Sequence, residues 1–512
     1  QLDFFSNQTS VENENLNYTL VAKNNLDELV KSLSSSKNLC VDTETSSLNI
    51  QDAELAGVAL SDEEKKGYYI STIDDCDYVV NKLKPLLENP TTTIIGHNLK
   101  YDIQILKKYN INIKENVFDT MLAHYLLNPE SSHKLDVLSE NYLNHKCIPI
   151  EDIIGKSGVN QKKMTELPPK EIYIYACEDA DITFRLKNIF EKDLKKNNLS
   201  KLFYDLEIPL MFVLCEIESN GVKIDSEFLS NMSEVLTKKI NETEKNIYII
   251  AGEEFNVASP KQLGVVLFDK LKIDDNPKKT KSGQYSTGED ILVKLSKKSK
   301  IVSLVLEYRE YKKLLSTYID ALPQMVSPKD NLIHTDYAQA VTATGRLSSN
   351  KPNLQNIPIR TTLGRKTRSA FVSRNKGNFI LAADYSQIEL RIIASFSEDK
   401  EMINAFKNNK DIHAITASKV FGVALDEVTQ DMRRRAKEVN FGIIYGISPF
   451  GLSQNLDISR IEAKEIIDAY FDEFKNVKLY MERSIKEAKE KKQVETLLGR
   501  RRFLRDIDSR NY

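Results

Sequence analysis

The chain has 512 residues, of which 41% are hydrophobic and 29% are charged, and its formal net charge is −2. This composition excludes wholesale disorder, and the length predicts several domains with sizeable cores. The near-zero charge does not by itself indicate a nucleic-acid binder. No apolar run is long enough to cross a membrane, and five scattered cysteines predict neither a zinc site nor a disulfide framework.

Short apolar runs alternate with helical segments in the first part of the chain. After a helix predicted at residues 26–33, strands are predicted at residues 39–41, 57–60, 68–70 and 93–95. Helical patterns then dominate to about residue 198, where Asn197-Asn198-Leu199-Ser200 marks a boundary. Because strands that alternate with helices are typical of an α/β layer, we predict an α/β domain at residues 1–200.

Long helices dominate the rest of the chain. One is predicted at residues 206–220 and ends at Gly221, and charged helices fill residues 226–320 except for an exposed, irregular tip at 274–288. After Thr335 the pattern is mixed, with a buried strand predicted at residues 379–384, and helices return from residue 401 to about 492. We therefore predict a mostly α, mixed α/β domain at residues 201–512.

Acidic residues form the first candidate site. Asp42 and Glu44 end a predicted strand and lie on the same side of it, because strand side chains alternate. Two later pairs stand one helical turn apart, namely Asn98 with Asp102 and Tyr175 with Asp179. Four carboxylates at one place would repel one another unless divalent cations lay between them, as in sites for two Mg²⁺ ions. Such a site cleaves phosphodiesters, and Tyr175 could orient the attacking water.

A row of basic and aromatic residues forms the second candidate site. Arg433, Lys437, Phe441 and Tyr445 recur every four residues, so on a helix they follow one slowly drifting face. Two cations followed by two aromatic planes would fit the phosphates and the base of a nucleoside triphosphate. The alternative interpretation of this row taken alone is a solvated basic helix with a buried aromatic seam.

The acidic motifs resemble a known class of nucleases. Asp-x-Glu, then Asn-x-x-x-Asp, then Tyr-x-x-x-Asp is the order of the DEDDy class of 3′→5′ exonucleases. The resemblance implies an RNase H-like fold with Asp42, Glu44, Asp102 and Asp179 as metal ligands. It also implies that Leu48 wedges against the terminal base and that Asn98 contacts a single-stranded DNA 3′ end.

The later motifs resemble family A DNA polymerases. The segment from Ala383 to Arg391 is similar to motif A of that family, and residues 433–446 are similar to motif B. Other sequence motifs of the family are matched by residues 344–349, 352–358 and 411–413. From about residue 35 to its end the chain therefore resembles the Klenow-type portion of these enzymes. The implied right-hand fold has a thumb at about 205–335, a palm at about 336–400 and 486–512, and fingers at about 401–485.

The resemblance also implies roles for individual residues. Asp384 and the carbonyl of Tyr385 would hold metal, and Lys437 could donate a proton to pyrophosphate. Phe441 in place of Tyr implies discrimination against dideoxynucleotides. The implied nucleotide-binding residues are Arg433, Lys437, His413, Phe441, Tyr445, Glu389 and Gln387. The implied DNA-binding residues are Arg346, Arg360, Asn98, Leu48, Lys278, Lys279 and Lys281.

One expected motif is absent from the sequence. Family A polymerases use a second carboxylate in a His-Asp-Glu motif C, and no such tripeptide occurs here. We expect an incomplete sequence, because motifs A and B are intact. The alternatives are a 3′–5′ exonuclease with a non-polymerising, DNA-holding domain and a non-catalytic DNA-binding module. The non-catalytic DNA-binding module must explain four carboxylates at a site that approaches phosphate.

The resemblance implies cofactors and partners as well. We expect two Mg²⁺ ions per active site, with Mn²⁺ as a substitute, and primer-template DNA and deoxynucleoside triphosphates as substrates of a monomeric, membrane-free enzyme. The Lys- and Asn-rich, Trp-free composition resembles the plastid (apicoplast) replicative polymerases of malaria parasites. Such polymerases are cut from a larger precursor, which agrees with a first residue, Gln1, that is not Met. The expected location is thus the apicoplast, and otherwise the bacterial cytoplasm.

Overall fold

The computed structural model describes residues 16–359 and 361–509. The chain divides into two compact units. The first extends to Ile380 and includes Leu498–Arg500, and the second contains Leu381–Leu497 and the chain from Arg501 onward. Buried apolar side chains form two clusters in the first unit, between Leu26 and Cys215 and between Ile224 and Ala370, and one in the second, between Leu390 and Val477. The predicted boundary at residue 200 is a finer division and stays a prediction.

A six-stranded mixed sheet forms the centre of the first cluster. Its strands are β1 (Asn17–Leu20), β2 (Asn38–Thr45), β3 (Leu55–Ser61), β4 (Lys66–Ser71), β5 (Thr93–Gly96) and β6 (Val117–Asp119), in the order β1-β4-β3-β2-β5-β6. β3 is antiparallel to both of its neighbours, whereas β2, β5 and β6 run parallel. The four predicted strands are confirmed. β1 and β6 were not predicted, because four and three residues are too few for a clear apolar pattern.

Helices pack around this sheet. They are α1 (Leu26–Leu33), α2 (Cys76–Leu87), α3 (Leu99–Lys108), α4 (Thr120–Leu127), α5 (Leu135–Leu143), α6 (Ile150–Ile154) and α7 (Pro169–Lys196). α7 crosses β1 to β5. Its approach to β4 depends on Gly67, because a Cβ atom at that position would lie only 2.6 Å from the Cβ of Cys177. This contact brings the carboxylates of α7 close to the sheet.

The rest of the first unit is mainly helical. Its helices are α8 (Ser200–Leu202), α9 (Ile208–Asn220), α10 (Ser226–Ala251), α11 (Pro260–Gly264), α12 (Glu289–Ser296), α13 (Lys300–Leu314), α14 (Ala321–Gln324) and α15 (Thr362–Arg368). Wider helical turns follow α8, α11 and α13 at Phe203–Glu207, Val265–Lys270 and Leu315–Ile319. The short strands β7 (Lys223–Ile224) and β10 (Phe371–Val372) pair with each other, as do β8 (Asp336–Ala338) and β9 (Ser348–Asn350). The predicted irregular tip at 274–288 contains no helix.

The second unit is a helical assembly with one short hairpin. Its helices are α16 (Ile388–Ser397), α17 (Lys400–Lys407), α18 (Ile412–Phe421), α19 (Gln430–Ile444), α20 (Pro449–Leu456), α21 (Arg460–Glu473) and α22 (Lys475–Lys491). The strands β11 (Gln493–Glu495) and β12 (Arg501–Phe503) are antiparallel. The prediction of helices between residues 401 and 492 is confirmed.

The prediction of a buried strand at residues 379–384 is wrong. These residues form neither strand nor helix, and Phe379 and Leu381 are 93% and 90% exposed. A strand becomes buried only where neighbouring strands satisfy its backbone and cover its side chains. Within residues 16–359 and 361–509, no strand pairs with this segment. The apolar run therefore reflects β propensity without the partners that would bury it.

Candidate active sites

Three carboxylates meet where β2 faces α7. Asp42 and Glu44 are two residues apart on β2 and so project from the same side of the sheet, and Asp179 lies on α7, which packs across that strand. Carboxylate oxygens of these residues all lie within 4.8 Å of one another. Within the described part of the chain, this is the one group of three or more acidic, His or Cys side chains close enough to share a metal ion.

Burial disfavours the charged forms of the three carboxyl groups in this cluster. Burial raises the pKa of Asp42 to about 6. It also raises the pKa values of the Glu44 and Asp179 carboxyls well above their ordinary range, and the nearby charge of Asp42 raises both further. The buried Oε1 of Glu44 has no hydrogen-bond partner among the residues that the structure describes. The cluster therefore fits a divalent cation, whose positive charge would compensate the carboxylates and which the unpartnered oxygen of Glu44 could bind as a ligand.

The fourth predicted carboxylate is engaged differently. Oδ1 of Asp102 accepts hydrogen bonds from the backbone N of Thr43 at 3.0 Å and from the Thr43 hydroxyl at 2.6 Å. Its charge nevertheless acts on the cluster, because it helps to raise the pKa of Glu44. The structure thus brings three carboxylates together and fastens the fourth to the strand between Asp42 and Glu44. Its role as a metal ligand stays a prediction.

Tyr175 lies one helical turn before Asp179 and hydrogen-bonds to its carboxyl group. Burial and the Asp179 charge raise the pKa of the Tyr175 phenol, so its hydroxyl keeps its proton. Both residues line a cavity of about 460 Å³ bounded by the segment from Lys134 to Glu151. The hydroxyl is therefore a neutral donor at the edge of the carboxylate cluster.

Two residues near this site were missed by the sequence analysis. Asp119 is buried at the end of β6, and its carboxylate accepts from the backbone N of Leu99 at 2.8 Å and of Leu122 at 2.9 Å. Glu178 is also buried, and its Oε1 lies 2.9 Å from Nε2 of His145. An Asp just before an apolar helical run is an N-cap signal that could have revealed Asp119. The sequence carries no comparable signal for Glu178.

Asn98 and Leu48 line a second cavity of about 350 Å³ in the first unit. Asn98 is exposed and adopts a left-handed backbone conformation (φ 58°) immediately before α3. Asp119 stabilises that turn by accepting from the first backbone amide of the helix. Leu48 is 90% exposed at the mouth of this cavity.

The predicted DNA-binding cations of the first unit lie on its surface. Lys278, Lys279 and Lys281 are exposed on the irregular tip, and Lys279 Nζ lies 4.8 Å from the ring centroid of Tyr285. Arg346 is exposed as well, and its carbonyl accepts from the hydroxyl of Thr342. Arg360 lies outside the described residues.

In the second unit, α19 presents the predicted basic and aromatic row. Arg433, Lys437 and Phe441 lie on the helix, and Tyr445 follows its last residue. Arg433 Nε donates to Asp411 Oδ2 at 2.5 Å, while Asp411 Oδ1 accepts from the backbone N of His413 at 2.9 Å. Asp411 therefore joins the N-terminus of α18 to the first cation of the row.

The aromatic end of the row makes defined contacts. The Tyr445 hydroxyl donates to Glu389 Oε1 at 2.7 Å. The ring centroids of Phe441 and His413 are 6.0 Å apart. Gln387 stands immediately before α16 in a left-handed conformation (φ 53°). The contact between Glu389 and Tyr445 thus joins the start of α16 to the end of α19.

The predicted metal ligands of motif A do not form a comparable cluster. Asp384 and Tyr385 are exposed, the latter to 80%. In the described part of the second unit, no group of three or more potential ligand residues includes Asp384. The prediction that Asp384 and Tyr385 hold metal therefore has no geometric support comparable with that of Asp42.

Two general predictions concern the whole chain. The five cysteines are all free, in agreement with the absence of a predicted disulfide framework. In the described ranges, no helix combines the length and the apolar character that a membrane span requires.

Comparison with known proteins identifies both halves of the chain. Residues 19–195 match the family model described as 3′-5′ exonuclease, and residues 226–512 match the model described as DNA polymerase family A. DNA polymerase I of Pseudomonas aeruginosa is 42% identical over 499 residues, which are 95% of this chain and 54% of that protein. DNA polymerase I of Borreliella burgdorferi is 42% identical over 511 residues, 98% of this chain and 55% of that protein.

A further relative and a solved structure agree. DNA polymerase I of Bacillus subtilis is 47% identical over 415 residues, 81% of this chain and 46% of that protein. The chain thus spans about half the length of the curated relatives it matches. The POL domain of Pol1 from M. smegmatis, in complex with DNA primer-template and dNTP, superposes with a TM-score of 0.84 at 33% identity, covering 96% of this chain and 82% of that one.

These relatives are bacterial, and none of them supports the expected plastid location. The predicted fold class is confirmed: an α/β exonuclease domain is followed by a mostly α, mixed α/β polymerase domain. Since the polymerase model matches more than half of the 512 residues and the solved relative agrees over nearly all of them, the chain belongs to DNA polymerase family A.

Proposed function

We propose that the protein is a template-directed DNA polymerase with a 3′–5′ proofreading exonuclease. The observation that carries the proposal is the carboxylate cluster of Asp42, Glu44 and Asp179, which lies within the segment that matches the exonuclease family. The basic and aromatic row of α19, within the segment that matches family A polymerases, supports the second activity. The substrates would be primer-template DNA, its single-stranded 3′ end and deoxynucleoside triphosphates, as in the solved relative bound to DNA and dNTP.

In the exonuclease site, Asp42, Glu44 and Asp179 would hold Mg²⁺, with Mn²⁺ as a substitute and Asp102 as the outer fourth carboxylate. When bound, two such ions supply activation of water and neutralisation of the leaving oxygen. The protonated phenol of Tyr175 would orient the attacking water. Exposed Leu48 and Asn98 would hold the terminal nucleotide, for which their shared cavity provides room.

In the polymerase site, Arg433, Lys437 and His413 would neutralise the triphosphate. In-line phosphoryl transfer needs little else from the protein than positioning and charge compensation. Phe441 and Tyr445 would stack on the nascent base pair. The carboxylate of Glu389, held by the Tyr445 hydroxyl, would exclude a ribose 2′-hydroxyl by crowding.

The remaining site residues are proposed to act on metal and DNA. Asp384 and the Tyr385 carbonyl would hold Mg²⁺ against the incoming phosphates, and Gln387 would contact the nucleotide. Sequence-independent phosphate and minor-groove contacts would come from Arg346, Arg360, Lys278, Lys279 and Lys281.

A second candidate function is a 3′–5′ exonuclease whose second domain only holds DNA. The exposure of Asp384 and the lack of a ligand group around it in the described residues favour this alternative. The two candidates share the exonuclease site and differ in whether the primer can grow.

A 5′-labelled primer on a longer template distinguishes these functions. The chain is incubated with Mg²⁺ and the four deoxynucleotides, and the products are sized by gel electrophoresis. Primer extension is the expected result and would exclude the second candidate. Shortening alone would favour the exonuclease with a DNA-holding domain. No change in length, with the fold verified by circular dichroism, would contradict both.

A further inference from the structure

Asn440 is a fully buried amide on α19 that faces two residues of α18. Its Nδ2 lies 3.0 Å from Nδ1 of His413, and its Oδ1 lies 3.1 Å from the hydroxyl of Thr416. Asn440 and Thr416 are 0% exposed and His413 is 2% exposed. Buried amides and hydroxyls cost free energy unless they are hydrogen-bonded, so this chain of contacts constrains the protons of all three side chains.

One arrangement of these contacts places the imidazole proton on Nε2. The Thr416 hydroxyl donates to Oδ1 of Asn440, which turns the NH₂ group of the amide toward His413. An amide N–H only donates, so Nδ1 of the ring must accept, and a neutral ring then carries its proton on Nε2. In the described residues, no partner hydrogen-bonds to Nε2 of His413.

The surroundings of the ring point to an anion. Burial lowers the pKa of His413, and the charges of Arg433 and Lys437 lower it further, so the ring is neutral at neutral pH. The charge of Asp411 raises that pKa, but it offsets these effects only in part. Arg433, Lys437 and a neutral N–H donor on the ring together form a site for a polyanion. A ring with its proton on Nδ1 would weaken that site, because its Nε2 would present a lone pair to the anion.

We propose that Asn440 is a positioning residue that holds His413 as its Nε2–H tautomer, so that the ring donates to a phosphate of the incoming nucleotide. The inference rests on the proposed function, in which this face of α19 binds a triphosphate. Asn440 itself contacts no substrate and acts through His413. Thr416 orients Asn440 and completes the chain.

A competing arrangement exists and gives the opposite tautomer. The Thr416 hydroxyl also lies 2.9 Å from the carbonyl O of Ile412. If its single proton went there, a reversed Asn440 amide could donate to Thr416 and accept from Nδ1–H of His413. The two arrangements differ in which ring nitrogen is protonated, and that difference is directly measurable.

Nitrogen NMR of the whole chain labelled with ¹⁵N-histidine tests the tautomer without any substitution. The signal of His413 is assigned by its loss in His413→Gln, and the other five of the six histidines serve as internal references. We expect an unprotonated Nδ1 and a protonated Nε2 at neutral pH. A protonated Nδ1 in the wild-type chain would overturn the proposal.

Two variants test whether Asn440 is responsible. Asn440→Leu removes both hydrogen bonds at similar volume, and we expect the ring signals to move toward the average of both tautomers. Asn440→Asp offers only an acceptor, so Nδ1 should become protonated. Asn455→Leu, at an exposed position of α20, is the matched control and should leave the His413 signals unchanged. Unchanged signals in both Asn440 variants would contradict the assignment.

Titration with a deoxynucleoside triphosphate and Mg²⁺ connects the tautomer to binding. We expect Asn440→Leu to weaken binding about fivefold, the worth of roughly one hydrogen bond, and Asn455→Leu to leave it unchanged. Lys437→Ala distinguishes a failure of this inference from a failure of the proposed nucleotide site. If it weakens binding while Asn440→Leu does not, the inference fails and the proposed function survives. If neither does, the nucleotide site itself is wrong.

Discussion

In the first unit, Asp42, Glu44 and Asp179 lie between β2 and α7, where burial raises the pKa of every one of them. In the second unit, Lys437 and Asp384 are exposed, and Arg433 is neutralised by Asp411 at the surface. The first site thus brings buried carboxylates together before any ligand binds, whereas the charges of the second site lie at the surface. Ligand binding should therefore change the stability of the first site more than that of the second.

Replacing Asp42 and Glu44 with Ala should abolish most 3′ degradation. Each substitution removes a carboxylate of the same cluster, and because groups that act together are not additive we expect the pair to lower the rate about 10³-fold or more. DNA affinity should stay nearly unchanged. The rate is measured on a labelled single strand, and affinity by fluorescence anisotropy.

The matched control for that pair is Asp52→Ala with Glu54→Ala. These acids have the same spacing but are exposed, so we expect activity within about twofold of the wild type. Comparable loss in both pairs would mean that the rate follows overall charge and not the cluster.

Lys100→Met should destabilise the first unit by about 3–5 kcal/mol, because it leaves the buried Glu218 carboxylate without its charged partner. Lys100 Nζ lies 2.5 Å from Glu218 and 2.6 Å from Asp336, and it also donates to the carbonyl of Tyr337 at 2.9 Å. The free energy of unfolding is measured with urea. Lys107→Met is the control, since Lys107 pairs with Glu216 between the same two helices, α3 and α9, but at the surface. It should cost less than about 1 kcal/mol.

The pH dependence of stability should differ between wild type and Asp42→Asn. The pKa of Asp42 is raised by burial from 3.8 to about 6, so the unfolded chain loses this proton first. The stability that the protonated Asp42 carboxyl contributes to the folded chain is about 3 kcal/mol. It is fully present below pH 4 and is lost as pH rises toward 6.

Two buried histidines change stability with pH in the opposite direction, so their contribution must be separated from that of Asp42. Burial lowers the pKa values of His97 and His124 to about 4, so their contribution grows as pH rises from 4 toward 6.5. The difference between wild type and Asp42→Asn removes the histidine contribution and reports the Asp42 carboxyl together with its effect on Glu44 and Asp179. Unfolding is followed in EDTA. Added Mg²⁺ should remove the wild-type loss above pH 6. An identical dependence of stability on pH in both proteins would show that burial does not raise the pKa of Asp42.

Arg433→Ala should weaken deoxynucleoside triphosphate binding about 30-fold, the worth of a hydrogen bond to a charged group, about 2 kcal/mol. Arg434→Ala is the control, because Arg434 lies on the next position of α19 and pairs only with Asp431 and Glu438 on its own helix among the ion pairs of the described residues. Isothermal titration measures both. Equal losses would indicate general electrostatic attraction in place of a defined face.

Sequence reasoning found the acidic site because its residues follow simple periods. Asp42 and Glu44 keep the two-residue period of a strand, and Tyr175 and Asp179 keep the helical turn. The same reasoning did not find the engagement of Asp102 with Thr43, because hydrogen bonds between distant segments leave no local pattern.

The prediction of a buried strand at residues 379–384 failed for a related reason. Their apolar run predicts a strand correctly as a propensity, but burial depends on partners that propensity does not encode. Asn440 shows the same limit in the other direction: an amide between a Val and a Phe gives no hint that it contacts His413, 27 positions away. Local rules therefore recover the elements and the periodic sites, and they miss the contacts that tune them.

The exposed stretch around motif A also affects how the chain behaves in solution. Phe379, Leu381 and Tyr385 are 93%, 90% and 80% exposed, and the backbone beside them forms no ladder with a described strand. Exposed apolar side chains beside a backbone without a paired strand form a surface that another strand can cover. Residues 379–385 are therefore a place where this part of the chain can accept a partner strand.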